Sequence, residues 1–454
     1  MTAPPLPPGP RWTLPATLRL IRDPYTTLRD LRAAHGDLVT FPSLNGRIVL
    51  AMTPELAKPI LTAPPETFGA WAVGTLSEVI GPRSLLATEG EIHRKDRKLL
   101  TPPFHGARMR AYGDAMRSLA RARFEAALSP GATVKMQDVT TDITVDVILR
   151  TVFGVEDGPG FDEGRALMRE IVGISPLLLF TKLAHTPLFP GYRRFVRMRE
   201  RFRAWLEVRI AEARARGEAG QDVLAMMLAA RYDDGSTMSD DDIAAQLVTL
   251  LFAGHETTSI ALAWAVHWLG RHPVALERVR AEVASVGVDG DPEATDPEAT
   301  DPEAIARLPY LSAVCDETLR LHPIVTENLR LLRKPFELGG YTIPAGIGVG
   351  VAIGAIHSDP TIYPDPAAFR PERFLERKYS AFEHLPFGGG HRRCIGAAFA
   401  AYEMRLALAV LVDGWDLALV HLDEKPVRRS VTMGPEHGVP VKVIARRSAS
   451  ALGP

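Results

Sequence analysis

The stretch that decides the fold reads Phe387-Gly388-Gly389-Gly390-His391-Arg392-Arg393-Cys394-Ile395-Gly396 and continues as Ala397-Ala398-Phe399-Ala400-Ala401-Tyr402-Glu403. Its glycines let the backbone turn tightly and leave room for a flat ligand to approach the sulfur of Cys394. A helix-forming segment begins directly after this cysteine, so backbone N–H groups and the helix dipole would favour a thiolate. These are the requirements of a sulfur bound to iron. Two alternatives are a buried cysteine in a glycine-rich turn and a cysteine protease, whose histidine base the sequence cannot place.

Composition limits the class of protein. The chain has 454 residues, of which 46% are hydrophobic and 24% charged, which excludes a disordered or fibrous protein. Its 53 basic and 54 acidic residues leave a net charge of −1, so we expect no nucleic-acid partner. Only two cysteines, Cys315 and Cys394, are present, which excludes a disulfide scaffold and favours a cytoplasmic protein. The start of the chain does not resemble a signal peptide, and no apolar run is long enough to predict a membrane span.

Most of the chain has helical periodicity. Apolar residues recur every three or four positions from Phe195 to Ile210. Ser239 and three aspartates predict the start of a long helix that runs towards Trp268, and another helix from Leu311 should end near His322. Strand hairpins are predicted at Leu38–Met52 and Phe336–Ile343. The predicted fold class is therefore mainly α with small β-sheets.

Two segments are predicted to be irregular. Asp291–Ala304 repeats Asp-Pro-Glu-Ala-Thr nearly three times, and its prolines argue against regular structure, which predicts an exposed acidic loop. Asp359–Phe374 carries four prolines without clear periodicity. No linker divides the rest of the chain, so we expect a proline-rich segment at residues 1–29 followed by one domain at residues 30–454.

Two further motifs precede the cysteine. Glu317 and Arg320 are three residues apart and can pair on one helical face, and Arg373 could fold over that pair to bury it. In Ala253-Gly254-His255-Glu256-Thr257-Thr258, the Thr257 hydroxyl can bond to the carbonyl of Ala253 and open a notch in the helix. Gly254 in a helix costs about 1 kcal/mol and would permit close approach of a flat cofactor.

In this order, the motifs resemble those of the cytochrome P450 superfamily, over about residues 31–443. The resemblance implies a single-domain P450 fold and a haem-thiolate monooxygenase of the bacterial type, with Cys394 as the ligand of the haem b iron and O2 as co-substrate. Glu317, Arg320 and Arg373 would be a structural triad. Thr257 and Glu256 would be catalytic, in oxygen activation and proton delivery. The remaining cofactor contacts would be His93, Arg97, Ala253, Gly254, Arg330, Phe387, Arg392 and Gly396.

The resemblance also implies a largely apolar substrate pocket, which favours a fatty acid, a terpenoid or a polyketide-like product of secondary metabolism. Its predicted walls include residues 174–189, a candidate access lid, and Phe68, Trp71, Leu76, Val79, Ile80, Leu85, Leu86, Leu250, Ala253, Ile324, Val325, Val431, Thr432 and Met433.

Electrons would come from a separate ferredoxin or flavodoxin with its NAD(P)H-dependent reductase, because the chain has no cysteine set for an iron–sulfur cluster. The basic residues Arg94, Lys95, Lys98, Arg108 and Arg110 would steer that partner. We expect a monomer. A peroxide-driven haem-thiolate enzyme and a non-catalytic haem sensor are the alternatives; the Glu256–Thr257 pair argues against both.

Overall fold

The structure is a computed structural model that describes residues 5–43, 45–71, 77, 80–172, 186, 188–217, 220–288, 301–429 and 431–447. Its α-helices within these ranges are α1 (Thr13–Arg22), α2 (Pro24–His35), α3 (Pro54–Thr62), α4 (Gly90–Leu100), α5 (Ala107–Ala127), α6 (Met136–Thr151), α7 (Pro159–Val172), α8 (Pro190–Arg216), α9 (Val223–Ala229), α10 (Asp240–Arg271), α11 (Pro273–Val286), α12 (Pro302–Ala306), α13 (Pro309–Leu321), α14 (Ile353–His357), α15 (Arg373–Glu376) and α16 (Ala397–Gly414).

The strands are short. They are β1 (Leu38–Ser43), β2 (Gly46–Ala51), β3 (Phe68–Ala70), β4 (Thr133–Lys135), β5 (Glu327–Leu332), β6 (Phe336–Leu338), β7 (Tyr341–Ile343), β8 (Gly348–Ala352), β9 (Trp415–Leu419), β10 (Pro426–Arg428), β11 (Met433–Pro435) and β12 (Pro440–Arg446). The largest sheet has the order β1-β2-β8-β5-β3, and only β2 and β8 run parallel in it. Both predicted hairpins form, as β1–β2 and β6–β7. The predicted fold class, mainly α with small β-sheets, is confirmed.

Helix α10 is the centre of the helical core. The Ser239 hydroxyl accepts a hydrogen bond from the N–H of Asp242 at 3.2 Å, and three aspartates occupy the first turn, where the helix dipole favours negative charge. Beyond this polar start the helix buries Ile260, Trp264 and most of their neighbours. It packs against α6 and α16, and α16 also packs against α5. The helix that follows Cys394 is thereby fixed to the helix that carries Thr257.

The acidic loop predicted at Asp291–Ala304 ends earlier than its sequence indicates. The acidic loop was expected to reach Ala304, but α12 begins at Pro302. Proline is compatible with the first position of a helix, because the N–H it lacks would have no partner there. The Asp301 side chain caps the helix by accepting a hydrogen bond from the N–H of Glu303 at 2.9 Å. The rest of the repeat, residues 291–300, lies outside the described residues.

Helix α16 buries a carboxyl group that predicts a pH dependence of stability. Glu403 is fully buried, and its Oε1 has no hydrogen-bond partner among the described residues. Burial raises the pKa of this carboxyl to about 8. Because the folded chain then holds a proton that the unfolded chain releases near pH 4.5, stability falls as the pH rises. In urea unfolding, the free energy of unfolding of Glu403→Gln, relative to that of the natural protein, should rise by about 2 kcal/mol from pH 5 to pH 7. If the two proteins differ in their free energy of unfolding by the same amount at pH 5 and pH 7, Glu403 is not neutral in the folded protein.

Candidate active site

The backbone closes tightly around the loop that carries Cys394. The N–H of Cys394 donates to the carbonyl of Phe387 at 3.0 Å, and the N–H of Arg393 donates to that of Gly390 at 3.0 Å. Gly390 has a φ of +68°, and a Cβ at this position would overlap the carbonyl oxygen of Leu61. Glycine is therefore required here, both by its backbone conformation and by the close approach of α3.

Cys394 faces open space. It is exposed, and a Cβ added to Gly396 would meet no atom within 4 Å. The dense protein on its other sides raises the pKa of the thiol, while the N–H of Gly396 and the charges of Arg393 and Arg97 lower it. Burial outweighs these effects, which differs from the sequence-based expectation of a thiolate favoured by the helix alone. A metal ion bound to the sulfur would supply the positive charge that stabilises the thiolate form.

Three guanidinium groups surround the loop without a carboxylate partner. Arg97 donates to the carbonyl of Arg393 at 2.6 Å, Arg392 to that of Thr88 at 2.6 Å, and Arg330 to those of Ile60 and Gly389 at 3.0 and 2.9 Å. None of the three forms an ion pair with any residue that the structure describes. Burial lowers the pKa of Arg330 to about 10.

These cations indicate an anionic ligand. The Nε atoms of Arg330 and Arg392 are buried and lack partners among the described residues. Buried charges are normally paired, so an anion is needed beside them. A flat group with carboxylates at its edge and a metal at its centre satisfies both the guanidiniums and the open side of the thiol. The residues present therefore fit haem.

His93 on α4 lies beside the same cations. Its ring is 6.1 Å from that of His391, and the two rings meet edge to face. Burial, Arg392, Arg97 and His391 lower the pKa of His93 to about 3, so the ring is neutral at physiological pH and can offer a hydrogen bond but no charge. His93, Arg97, His391 and Arg392 line a cavity of about 280 Å³ together with Phe68.

Helix α10 is locally open at the notch residues Ala253 and Thr257. The Thr257 hydroxyl donates to the carbonyl of Ala253 at 2.8 Å, the hydrogen bond that the sequence predicts. Ala253 is exposed although Leu251 and His255 on either side are buried, so this part of the helix borders open space. Glu256 is half-buried.

Gly254 lies close to helix α6. A Cβ at this position would lie 3.3 Å from Cδ1 of Ile148, on α6. Tight packing between α6 and α10 therefore favours a small residue at this position, and contact with a flat cofactor stays a prediction. Hydroxyls of α6 reinforce this interface, because Thr144 donates to the carbonyl of His255 at 3.0 Å and Thr140 to that of Ser259 at 2.9 Å.

The structure brings Glu317, Arg320 and Arg373 together in a buried network. Arg320 donates two hydrogen bonds to the Glu317 carboxylate, at 2.6 and 2.8 Å, and Arg373 donates one at 3.0 Å. All three side chains are almost completely buried. The backbone N–H of Arg370 adds a further donor to Glu317 at 2.9 Å. A buried carboxylate with this many donors is fully satisfied.

This network connects to the cysteine loop through His357. Arg320 donates to the carbonyl of His357 at 2.9 Å, and the His357 Nε2 accepts from the N–H of Leu385 at 2.8 Å. The carbonyl of Leu385 then accepts from the N–H of Gly388 at 2.9 Å. The triad therefore supports the backbone of the loop, and none of these hydrogen bonds involves Cys394.

Comparisons with known proteins identify the family. The family model "Cytochrome P450" matches residues 4–438. The chain belongs to the cytochrome P450 family. It is a P450 monooxygenase, which uses haem and O2. It is 34% identical to "Putative cytochrome P450 135B1" of Mycobacterium tuberculosis, over 98% of this chain and 93% of that protein, and 34% identical to "Putative cytochrome P450 137" of the same organism, over 90% and 83%.

A solved structure agrees over the full length. "Retinoic acid bound cyanobacterial CYP120A1" has a TM-score of 0.84 and 28% identity, covering 98% of this chain and 100% of that chain. The predicted P450 fold is therefore confirmed. No helix among the described residues is apolar and long enough to cross a membrane.

The predicted substrate-pocket residues of this P450 fall into two groups. Leu86, Val325 and Val431 are large apolar side chains that are exposed, and Leu250 is half-buried on α10. The N–H of Met433 donates to the carbonyl of Ile324 at 2.8 Å, which joins two of the predicted walls. Of the other described members, Ala253 is exposed, and six are buried in the core or sheet, namely Phe68, Ile80, Leu85, Ile324, Thr432 and Met433.

Trp71, another member of the predicted pocket, packs on the largest sheet. Its ring lies over Gly348 of β8, where a Cβ would come within 2.6 Å of it, and it packs against the cluster that contains Phe41 and Leu50. The glycine leaves a flat space on the sheet that the indole fills. Leu76, Val79 and most of the predicted lid at residues 174–189 lie outside the described residues.

Three buried polar residues outside the predicted site hold the segment before His93 in place. The side chain of Gln246 on α10 accepts from the N–H of Leu85 at 2.9 Å and donates to the carbonyl of Arg83. Thr249 donates to the hydroxyl of Ser84 at 2.7 Å, and both groups are buried. They hold the segment before His93 against the central helix. The polar residues on the otherwise apolar face of α10 were the available signal.

Proposed function

We propose that this P450 inserts one oxygen atom from O2 into a lipophilic substrate, by hydroxylation or epoxidation of a fatty acid, a terpenoid or a polyketide-like molecule of secondary metabolism. The observation that carries the proposal is the exposure of Leu86, Val325 and Val431. Apolar side chains that remain exposed within predicted pocket walls favour a ligand that covers them.

The structural relative supports one of these classes in particular. That protein is a cyanobacterial P450 with bound retinoic acid, an isoprenoid carboxylic acid. The shared fold over the full length, at 28% identity, favours a terpenoid-like ligand here. We therefore place terpenoids first among the three classes.

The proposed roles follow the site. Cys394 would ligate the iron of haem b, and His93, Arg97, Arg330 and Arg392 would hold its propionates. Phe387, Gly396, Ala253 and Gly254 would contact the ring, and Thr257 with Glu256 would hold and pass protons at the notch in α10. The Glu317–Arg320–Arg373 triad would support the loop. The bound haem would supply the oxygen chemistry, and the chain would orient the substrate and limit water.

The test is a titration of the purified ferric protein with a terpenoid, a fatty acid and a macrolide, followed by absorption spectroscopy. We expect the terpenoid to cause a shift from low to high spin, because it displaces water from the haem pocket. Val325→Glu should weaken this shift, whereas Val274→Glu, on the exposed surface of α11, should leave it unchanged. A shift with the macrolide alone would contradict the preference for a terpenoid. Equal shifts for both variants would contradict the proposed location of the ligand.

We further propose that electrons come from a separate ferredoxin or flavodoxin with an NAD(P)H-dependent reductase, and that the enzyme is a cytoplasmic monomer with its catalytic domain at residues 30–454. Not all of the basic cluster is available for this partner. Arg94, Lys98 and Arg110 pair with Glu91, Asp233 and Glu303. Lys95 and Arg108 form no ion pair with a described residue, so they are the members with free charge.

Reversing these two charges should weaken docking of an acidic partner. We expect Lys95→Glu with Arg108→Glu to raise the apparent KM for ferredoxin by about tenfold at low salt, because steering between opposite charges is lost. The difference should shrink in high salt as the charges are screened. Lys135→Glu with Lys442→Glu, at exposed positions on β4 and β12, is the control with the same change in net charge. An equal effect of the control, or no effect of the double variant, would argue against docking on α4 and α5.

A further inference from the structure

Helix α1 carries large apolar side chains on two opposite sides. Ala16 and Leu20 pack inward against the cluster that contains Leu28 and Phe41, and Thr17 is buried with them. The other side shows a row of exposed residues at helical spacing, preceded by an exposed tryptophan: Trp12 (76% exposed), Leu14 (59%), Leu18 (56%) and Ile21 (47%). The inner face attaches the helix to the protein, and the outer face remains without cover among the described residues.

Such a row is unusual on a protein surface. Single exposed leucines are common, but Leu14, Leu18 and Ile21 recur at steps of four and three on one helical face, and Trp12 caps the start of the helix. Helices that lie in the surface of a lipid bilayer have this pattern, with tryptophan and leucine on one face and basic residues beside them. Helix α1 contains two arginines and no acidic residue.

A cation-lined cavity lies at the end of the same helix. Its volume is about 610 Å³, and Arg22, Arg29 and Lys425 line it. None of these three groups pairs with a carboxylate of any residue that the structure describes. Asp23 and Glu436 also line the cavity, but the carboxylate of Asp23 caps α2 by accepting from the N–H of Thr26.

Charge in this region supports an anionic partner. The first 35 residues carry five arginines and two aspartates, although the whole chain has a net charge of −1. Of these arginines, Arg19 and Arg32 are already paired with aspartates. Arg11, Arg22 and Arg29 therefore lie beside the exposed apolar row with their charges uncompensated within the described part of the chain.

We propose that this face is a lipid-binding surface. Helix α1 lies along an anionic bilayer with Trp12, Leu14, Leu18 and Ile21 inserted, and the cavity formed by Arg22, Arg29 and Lys425 receives the phosphate of a lipid headgroup. The apolar face and the cavity act together because they meet at Ile21 and Arg22. This attachment is peripheral and needs no membrane-spanning helix.

The test is cosedimentation of the haem-loaded protein with two kinds of vesicle, one of phosphatidylcholine alone and one that also contains phosphatidylglycerol. We expect at least tenfold stronger binding to the anionic vesicles. Leu14→Gln with Leu18→Gln should reduce that binding by about tenfold or more. Arg22→Gln with Lys425→Gln should reduce it about fivefold for each charge removed.

Exposed apolar residues elsewhere provide the matched control. Leu375→Gln with Ile444→Gln removes two comparable side chains and should leave vesicle binding unchanged. Failure to bind anionic vesicles, equal binding to neutral ones, or equal loss in the control would overturn the proposal. Concentration-dependent dimers that Leu14→Gln with Leu18→Gln abolishes, without vesicle binding, would assign the face to a second copy. Inorganic phosphate binding without vesicle binding would leave only an anion site.

Discussion

Replacing Arg373 by leucine should lower the free energy of unfolding by about 3–5 kcal/mol, because it leaves part of the buried Glu317 carboxylate without its partner. Arg373 is 2% exposed and donates to Glu317 at 3.0 Å. It also donates to the carbonyl of Pro364 at 3.1 Å, so its loss frees an irregular segment of backbone. Urea unfolding of the haem-loaded protein is the measurement.

Two further variants make the Arg373 result specific. Arg373→Lys keeps the positive charge but not the planar set of donors, so it should lose less stability than leucine and remain foldable. Arg203→Leu breaks two exposed pairs, with Glu207 on α8 and with Asp241 on α10, and should cost less than about 1 kcal/mol. If the buried and exposed substitutions cost the same, the triad does not support the fold as described.

The second large effect is expected at Thr257. Thr257→Ala should keep substrate binding but divert most of the electrons from NAD(P)H into hydrogen peroxide, because the hydroxyl that holds protons at the notch in α10 is lost. That hydroxyl donates to the carbonyl of Ala253 at 2.8 Å. Thr257→Ser retains it and is the control. The amount of product formed per NAD(P)H consumed should fall about tenfold or more in Thr257→Ala and only slightly in Thr257→Ser. A loss of this size is within the effect expected for a single proton-transfer group.

An unchanged product yield in Thr257→Ala would contradict the proton role. It would also favour the peroxide-driven alternative, since an enzyme that starts from peroxide has less need of this relay. Substrate affinity is the internal check. If Thr257→Ala acted only by disturbing the packing of the site, it would weaken the spectral shift on substrate addition as well as the product yield.

Short-range patterns made the helical core predictable. Ser239 and the aspartates after it determine where α10 begins, and Pro323 disfavours helical geometry at His322, which caps α13. The motif positions of Glu317, Arg320 and Cys394 could be recognised because their spacing and local chemistry are distinctive. Each of these features depends on residues that are close in sequence.

Long-range packing accounts for what the sequence could not predict. Gly254 faces Ile148, more than a hundred residues earlier, and Trp71 fills the flat space over Gly348. Neither contact leaves a periodic pattern around the residues involved. The pKa of Cys394 likewise depends on how densely the protein surrounds it, and that density raises the pKa against the local effects of the Gly396 N–H and two arginines.

The proposed site depends most directly on Cys394 as the haem ligand. The deciding measurement is the absorption spectrum of the reduced, carbon monoxide-bound protein for the natural chain, Cys394→Ser and Cys315→Ala. Cys315 is buried on α13 and is the only other cysteine of the chain. We predict that the natural protein and Cys315→Ala show the thiolate band that gives the family its name, and that Cys394→Ser loses it. Survival of that band in Cys394→Ser would contradict the assignment of the ligand and, with it, the proposed site.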